Sequence, residues 1–149
     1  MTKGFTLVEI ILAIAISSVI LGIVLFSFNN YRQRELLKIA TLEVTSVLRD
    51  ARARTLVAEG DSAYGVHFDA NQIILFTGSV YNPNAASNAT ATLPSGVGLA
   101  TTSLGATSVT FSRLSGEANT AGSVLIYLLT DATSSTTVTI NTAGIISSP

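Results

Sequence analysis

From Ile10 to Phe28 the chain reads IILAIAISSVILGIVLFSF, interrupted in its apolar character only by Ser17, Ser18, Gly22 and Ser27. No charged residue lies between Glu9 and Arg32. Such a run matches the roughly 20 apolar residues an α-helix needs to cross a bilayer. The serines are compatible with it, because a helical serine hydroxyl bonds back to the carbonyl one turn earlier. Beyond the run the helical pattern continues. Leu37, Ala40, Val44, Val47, Leu48 and Ala51 share one face, with Arg34, Glu35, Lys38, Glu43, Asp50 and Arg52 mostly on the others. The first stop signal is Gly60-Asp61-Ser62, with Gly in the left-handed position that ends helices. One helix is predicted from about Phe5 to Glu59, on the order of 80 Å long at 1.5 Å per residue. It is apolar all round over 5–30 and amphipathic over 31–59.

Past Ala63 the period changes to that of strands. Ala63–Asp69 and Gln72–Gly78 are predicted to form a hairpin turning at Asp69-Ala70-Asn71. The Asn/Ala/Ser/Thr stretch from Tyr81 to about Leu93 has the composition of a surface loop. Further strands are expected near Gly96–Ala100, Ser108–Ser112, Ser123–Thr130, Thr136–Asn141 and Gly144–Ser147. The fold class is therefore α+β: a long N-terminal helix whose amphipathic half packs on a small antiparallel β domain at 60–149.

Charged residues make up only 11% of the chain, against roughly a quarter in ordinary soluble domains. Of the eight Lys and Arg residues, only Arg113 lies beyond Gly60. The β domain thus lacks the clustered cations a nucleic-acid reader needs. There is no cysteine, which excludes disulfides and thiolate metal sites.

The segment before the apolar run changes the picture. Lys3-Gly4-Phe5-Thr6-Leu7-Val8-Glu9 places a basic residue, a Gly-Phe junction and a single Glu directly ahead of it. An ordinary secretory signal would have a shorter apolar core followed by a small-residue cleavage site. This N-terminus instead resembles the leader of type IV prepilins and pseudopilins. Tyr64–Asp69, Thr110–Gly116 and Val138–Ser147 further resemble the GspH/FimT group of minor pseudopilins. The resemblance implies a leader at 1–4, cut between Gly4 and Phe5 by a prepilin peptidase, and N-methylation of Phe5. It implies that Glu9 pairs with the charged terminus of a neighbouring subunit during assembly. The partners it implies are other pilins or pseudopilins, the peptidase and the inner membrane, crossed once with the C-terminal domain outside the cytoplasm. Arg32, Arg34 and Lys38, set against Lys3 alone, would by the positive-inside rule place that domain inside. The peptidase's cytoplasmic side, implied by the resemblance, outweighs that count.

Candidate chemistry elsewhere is sparse. His67, the one histidine, sits mid-strand with no thiol or Gly-x-Ser-x-Gly elbow to serve. Asp69-Ala70-Asn71 has too few following oxygens for a calcium loop and is expected to be a turn. Asn88-Ala89-Thr90 fits a glycosylation sequon of the kind that arises by chance in an Asn/Thr-rich loop. Arg49, Arg52 and Arg54 form a basic cluster expected to be a solvated face. No cofactor, metal or catalytic set is expected. The function is read as a minor pilin or pseudopilin of a type II secretion pseudopilus or a type IV pilus, and not an enzyme. The alternatives are a DNA-uptake pilin, which the cation-free tail Ile145–Pro149 disfavours, and a membrane-anchored β domain that never assembles.

Co-expressed with a prepilin peptidase and extracted from membranes, the chain is expected to begin at a methylated Phe5 by intact mass. A start at Met1, or one beyond the apolar run, would remove the leader assignment.

Overall fold

A computed structural model describes residues 4–149; Met1–Lys3, most of the expected leader, lie outside the described residues. The main helix, α1, spans Leu7–Leu56. The chain divides into two compact units, Met1–Glu35 and Leu36–Pro149.

In the first unit, Leu7–Leu25 forms a helix long and apolar enough to cross a membrane, with none of it buried. Ser18 Oγ donates to the Ile14 carbonyl at 2.5 Å, so the serine hydroxyl is satisfied inside the helix.

In the second unit α1 buries one face. Leu37, Ala40, Val44, Leu48 and Ala51 are buried as the periodicity predicts, and Val47 lies at the margin. The face also carries Thr41, Thr45 and Thr55, which an apolar-only pattern passes over. The helix ends earlier than expected, at Leu56. The first left-handed residue is Ala58, two positions before Gly60, and a 3₁₀ turn at Glu59–Asp61 follows.

The antiparallel β domain that the pattern predicts consists of two four-stranded sheets. The first comprises β1 (Tyr64–Phe68), β2 (Gln72–Thr77), β3 (Ala89–Thr92) and β5 (Ser108–Phe111), in the order β3-β2-β1-β5. The second comprises β4 (Val97–Thr102), β6 (Gly122–Leu128), β7 (Ser135–Ile140) and β8 (Ile146–Ser147), in the order β4-β6-β7-β8. β3 lies within the stretch expected to be loop. Its ATAT sequence alternates only alanine with threonine, a weak apolar signal; pairing with β2 makes it a strand.

Val66, Phe68, Ile73, Leu75, Val109 and Phe111 from the first sheet share a single core with Val97, Val124, Ile126, Leu128, Val138 and Ile140 from the second and the buried face of α1. The other face of the first sheet is also covered. Phe76, only 2% exposed, lies across Gly65, its register partner in β1. Tyr81 packs beside Phe76 with ring centroids 5.5 Å apart.

Thr55 joins the helix to the sheets. Its hydroxyl donates to the Ala51 carbonyl at 2.8 Å and accepts the Tyr64 N–H at 3.0 Å. Its carbonyl accepts the Leu114 N–H at 3.2 Å. Thr45, equally buried, has no partner for its hydroxyl. In a fragment 31–149, Thr55→Val should cost about 1–3 kcal/mol in urea unfolding, because it strands a buried N–H. Thr45→Val should be neutral or stabilising, since it removes an unpaired hydroxyl. Equal losses for both would show that methyl packing, not hydrogen bonding, sets the effect.

Candidate functional site: the N-terminal segment

The segment of interest runs from Gly4 to Glu9. Ile10 N–H donates to the Thr6 carbonyl at 3.2 Å, the first turn of α1. The Thr6 hydroxyl accepts the Glu9 N–H at 3.3 Å. Thr6 is thus the N-cap and Glu9 the third helical residue, the Thr-x-x-Glu spacing of a capping box. That signal was present in the sequence and is additional to the expected role of Glu9. An acid in the first turn also faces the positive end of the helix dipole.

Phe5 is 81% exposed, and Gly4 and Glu9 are exposed as well. A side chain at Gly4 would meet nothing within 4 Å. Packing therefore gives no reason for glycine there. Glu9 has no ion pair among the described residues.

The profile of the prokaryotic N-terminal methylation motif matches residues 1–25. The solved type IV minor pilin FimU of Pseudomonas aeruginosa superposes with a TM-score of 0.64 at 16% identity, over 80% of this chain and 92% of that one. This is a pilin fold. The minor pseudopilin EpsH from the type 2 secretion system of Vibrio cholerae superposes with a TM-score of 0.56 at 18% identity, over 76% of this chain and 95% of that one. No curated protein matches the chain in sequence. The chain is therefore type IV pilin-like, with a prepilin-type N-terminus on a long helix and an antiparallel β domain.

The other residues singled out in this pilin-like chain fall into structural roles. His67 Nδ1 lies 2.7 Å from Ser108 Oγ, and its ring stacks on Tyr81 with centroids 3.9 Å apart and planes 9° apart. Burial lowers its pKa, and Asp69 opposes that in part. Asp69 closes the β1–β2 turn, accepting from the Ala70 N–H at 2.8 Å and the Gln72 amide at 3.1 Å. These bonds hold its carboxyl below the usual range. The sequon residue Asn88 uses its amide nitrogen on the Asn82 carbonyl at 2.8 Å.

The basic cluster is not one solvated face, as expected, but three separate positions. Arg54 pairs with Asp50 at 3.1 Å and Glu59 at 3.4 Å. Arg52 donates to the Gly116 and Ala143 carbonyls, each at 3.2 Å, tying together two turns distant in sequence. Both turns contain left-handed glycines, Gly116 and Gly144. A Cβ on Gly144 would collide with the Gly116 carbonyl, so glycine is required there. Of the three, only Arg49 has neither an ion pair nor a side-chain hydrogen bond among the described residues.

The lowered pKa of His67 sets a sign. The native state binds its proton less readily than the unfolded chain does. That stability is complete above the unfolded pKa of about 6.5 and declines as pH falls below it. The carboxylates of Asp69 and Asp131, also lowered, act in the same direction only below about pH 4. The urea midpoint of fragment 31–149 should fall between pH 7.5 and pH 5, and His67→Gln should flatten that fall. An unchanged slope in the variant would assign the dependence to other groups.

Proposed function

We propose that this chain is a minor pilin or pseudopilin, cleaved between Gly4 and Phe5, methylated on the Phe5 amine and assembled into an envelope filament of the type IV pilus or type II secretion kind. In this reading the chain is anchored once in the inner membrane with its β domain outside the cytoplasm. The observation that carries it is the pairing of an exposed Gly-Phe junction, with no packing reason for its glycine, and one carboxylate set four residues later in the otherwise uncharged apolar stretch Leu7–Leu25.

The physical logic is electrostatic. A carboxylate in hydrocarbon costs roughly 2.5–3.5 kcal/mol on insertion scales. The cap at this end is the Thr6 hydroxyl on the Glu9 backbone N–H, which a Gln at the same position keeps, so capping does not call for the charge. A charge at this depth calls for an opposite charge, and the amine freed at Phe5 of a neighbouring copy or companion supplies it. Cleavage is what creates that amine next to the helix, so processing and assembly become one event.

Glu9→Gln separates the two roles of the residue. It keeps the capping geometry and removes the charge. With companion pilins and peptidase present, Glu9→Gln should leave membrane insertion and Gly4 cleavage intact while incorporation into sheared filaments falls about tenfold or more. Normal incorporation of Glu9→Gln with loss in Glu9→Ala would assign the role of Glu9 to its polar side chain and not to its charge. Loss of cleavage itself would make it a recognition residue for the peptidase.

A further inference from the structure

Exposed apolar side chains gather at the C-terminal end of α1. Leu56 and Ile145, with Ala53 and Ile146, floor a groove flanked by Arg49 and Arg52. Val57, the next residue along the chain, is exposed as well. Leu114 is tied to the same end through its N–H, which donates to the Thr55 carbonyl at 3.2 Å. Apolar residues scattered singly over a surface are ordinary, but a gathered set around a groove marks a contact site.

Leu114 is the member of this set that the fold itself does not explain. Its φ of 67° lies in the left-handed region, where a Cβ is crowded and glycine is the usual occupant. Leucine adds strain there and, at 65% exposed, recovers little of it by burial. Its turn is braced into this shape from α1 and the segment that follows it. Arg52 Nε donates to the Gly116 carbonyl at 3.2 Å, and Arg113 pairs with Asp61. A leucine displayed under strain by a braced turn serves something beyond the packing of its own chain.

Charge narrows what that is. Arg49 has neither an ion pair nor a side-chain hydrogen bond, and no carboxylate lines the groove, among the described residues. Arg52 binds neutral carbonyls, so its charge is also uncompensated. The neighbouring acid Asp50 is engaged with Arg54. The groove is therefore apolar at its floor and positive along its flank. Its complement is an apolar side chain beside a carboxylate. A small anion such as phosphate would leave Leu56 and Ile145 in water, whereas a protein segment satisfies floor and flank together.

We propose that this end of α1 docks a companion pilin of different sequence. A segment of the companion sets an apolar side chain on Leu56 and Ile145 and an Asp or Glu against Arg49, with Leu114 at the margin of the apolar contact. The proposal deepens the minor-subunit reading and rests on it: a minor subunit has neighbours other than itself, and this surface selects one of them. An exposed guanidinium contributes little affinity alone. The apolar contact holds the companion, while Arg49 sets its register and rejects segments that present a cation.

The test uses the full chain in membranes, with peptidase and companion pilins present. A benzophenone-bearing amino acid replaces Val57, which is exposed beside the groove and does not line it. A second chain carries the same probe at Val80, exposed just past β2. On irradiation the Val57 probe, and not the Val80 probe, should join a companion pilin of different mass through a peptide that contains Asp or Glu. Arg49→Glu should cut that product at least about tenfold, because two carboxylates then face each other. Changing the companion's acid to Arg should restore it. Leu114→Gly relieves the strain, so the melting temperature of the detergent-solubilised full chain should not fall while the product does. A lower melting temperature, or an unchanged product, would overturn the role given to Leu114. A product only at twice the chain's own mass, adducts with lipid alone, equal yields from Val57 and Val80, or a companion product indifferent to Arg49→Glu would overturn the docking site. Sheared filaments are collected in parallel. A chain present there without the companion product loses this contact and keeps its filament role, whereas the product without filaments keeps the contact and loses that role.

Discussion

Neither four-stranded sheet of this protein has enough apolar surface to fold with its inner face in water, and the buried face of α1 is what both sheets share. Leu37, Ala40, Val44, Leu48 and Ala51 join the inward residues of both sheets in one core. Burying such side chains is worth on the order of 1.5–3 kcal/mol for each Val or Leu. A helical face spaced at three and four residues meets strands alternating at two, so periodicity decides which residues enter the core. The three buried threonines show the tolerance of that face. Thr41 and Thr55 return their hydroxyls to α1 itself, at 2.7 and 2.8 Å, and Thr55 in addition accepts the Tyr64 N–H.

The sparse charges are distributed by use. Arg54, Asp50 and Glu59 pair near the end of α1, and Arg113 pairs with Asp61. Arg52 satisfies carbonyls instead of carboxylates, binding two glycine turns that a side chain would push apart. The segments resembling minor pseudopilins, Thr110–Gly116 and Val138–Ser147, meet at this arginine. That convergence gives a physical reason for glycine in each: the chain must take a left-handed conformation beneath a guanidinium.

The N-terminal segment follows a different logic. Its exposed residues bury nothing within the chain, so packing does not explain their identities. Thr6 is explained by capping and the apolar run by compatibility with hydrocarbon. Gly4, Phe5 and the charge of Glu9 call for something outside the chain, and the methylation-motif match over residues 1–25 is consistent with that.

What the sequence determined by itself was local: the apolar helix, its amphipathic continuation, the β1–β2 turn at Asp69, most strand positions and the prepilin-type N-terminus. Each is encoded by a pattern within a few residues, because solvent partition and turn chemistry act at that range. The tertiary structure decided the rest. That Ala89–Thr92 is a strand depends on β2 offering it free hydrogen-bonding groups. That the strands form two sheets, with β5 returning to β1 while β4 and β6 pair elsewhere, depends on contacts distant in sequence. That the three arginines of one cluster have three separate fates depends on which turns fold back onto α1. Long-range pairing competes among many near-equal local options, and only the common core selects one of them.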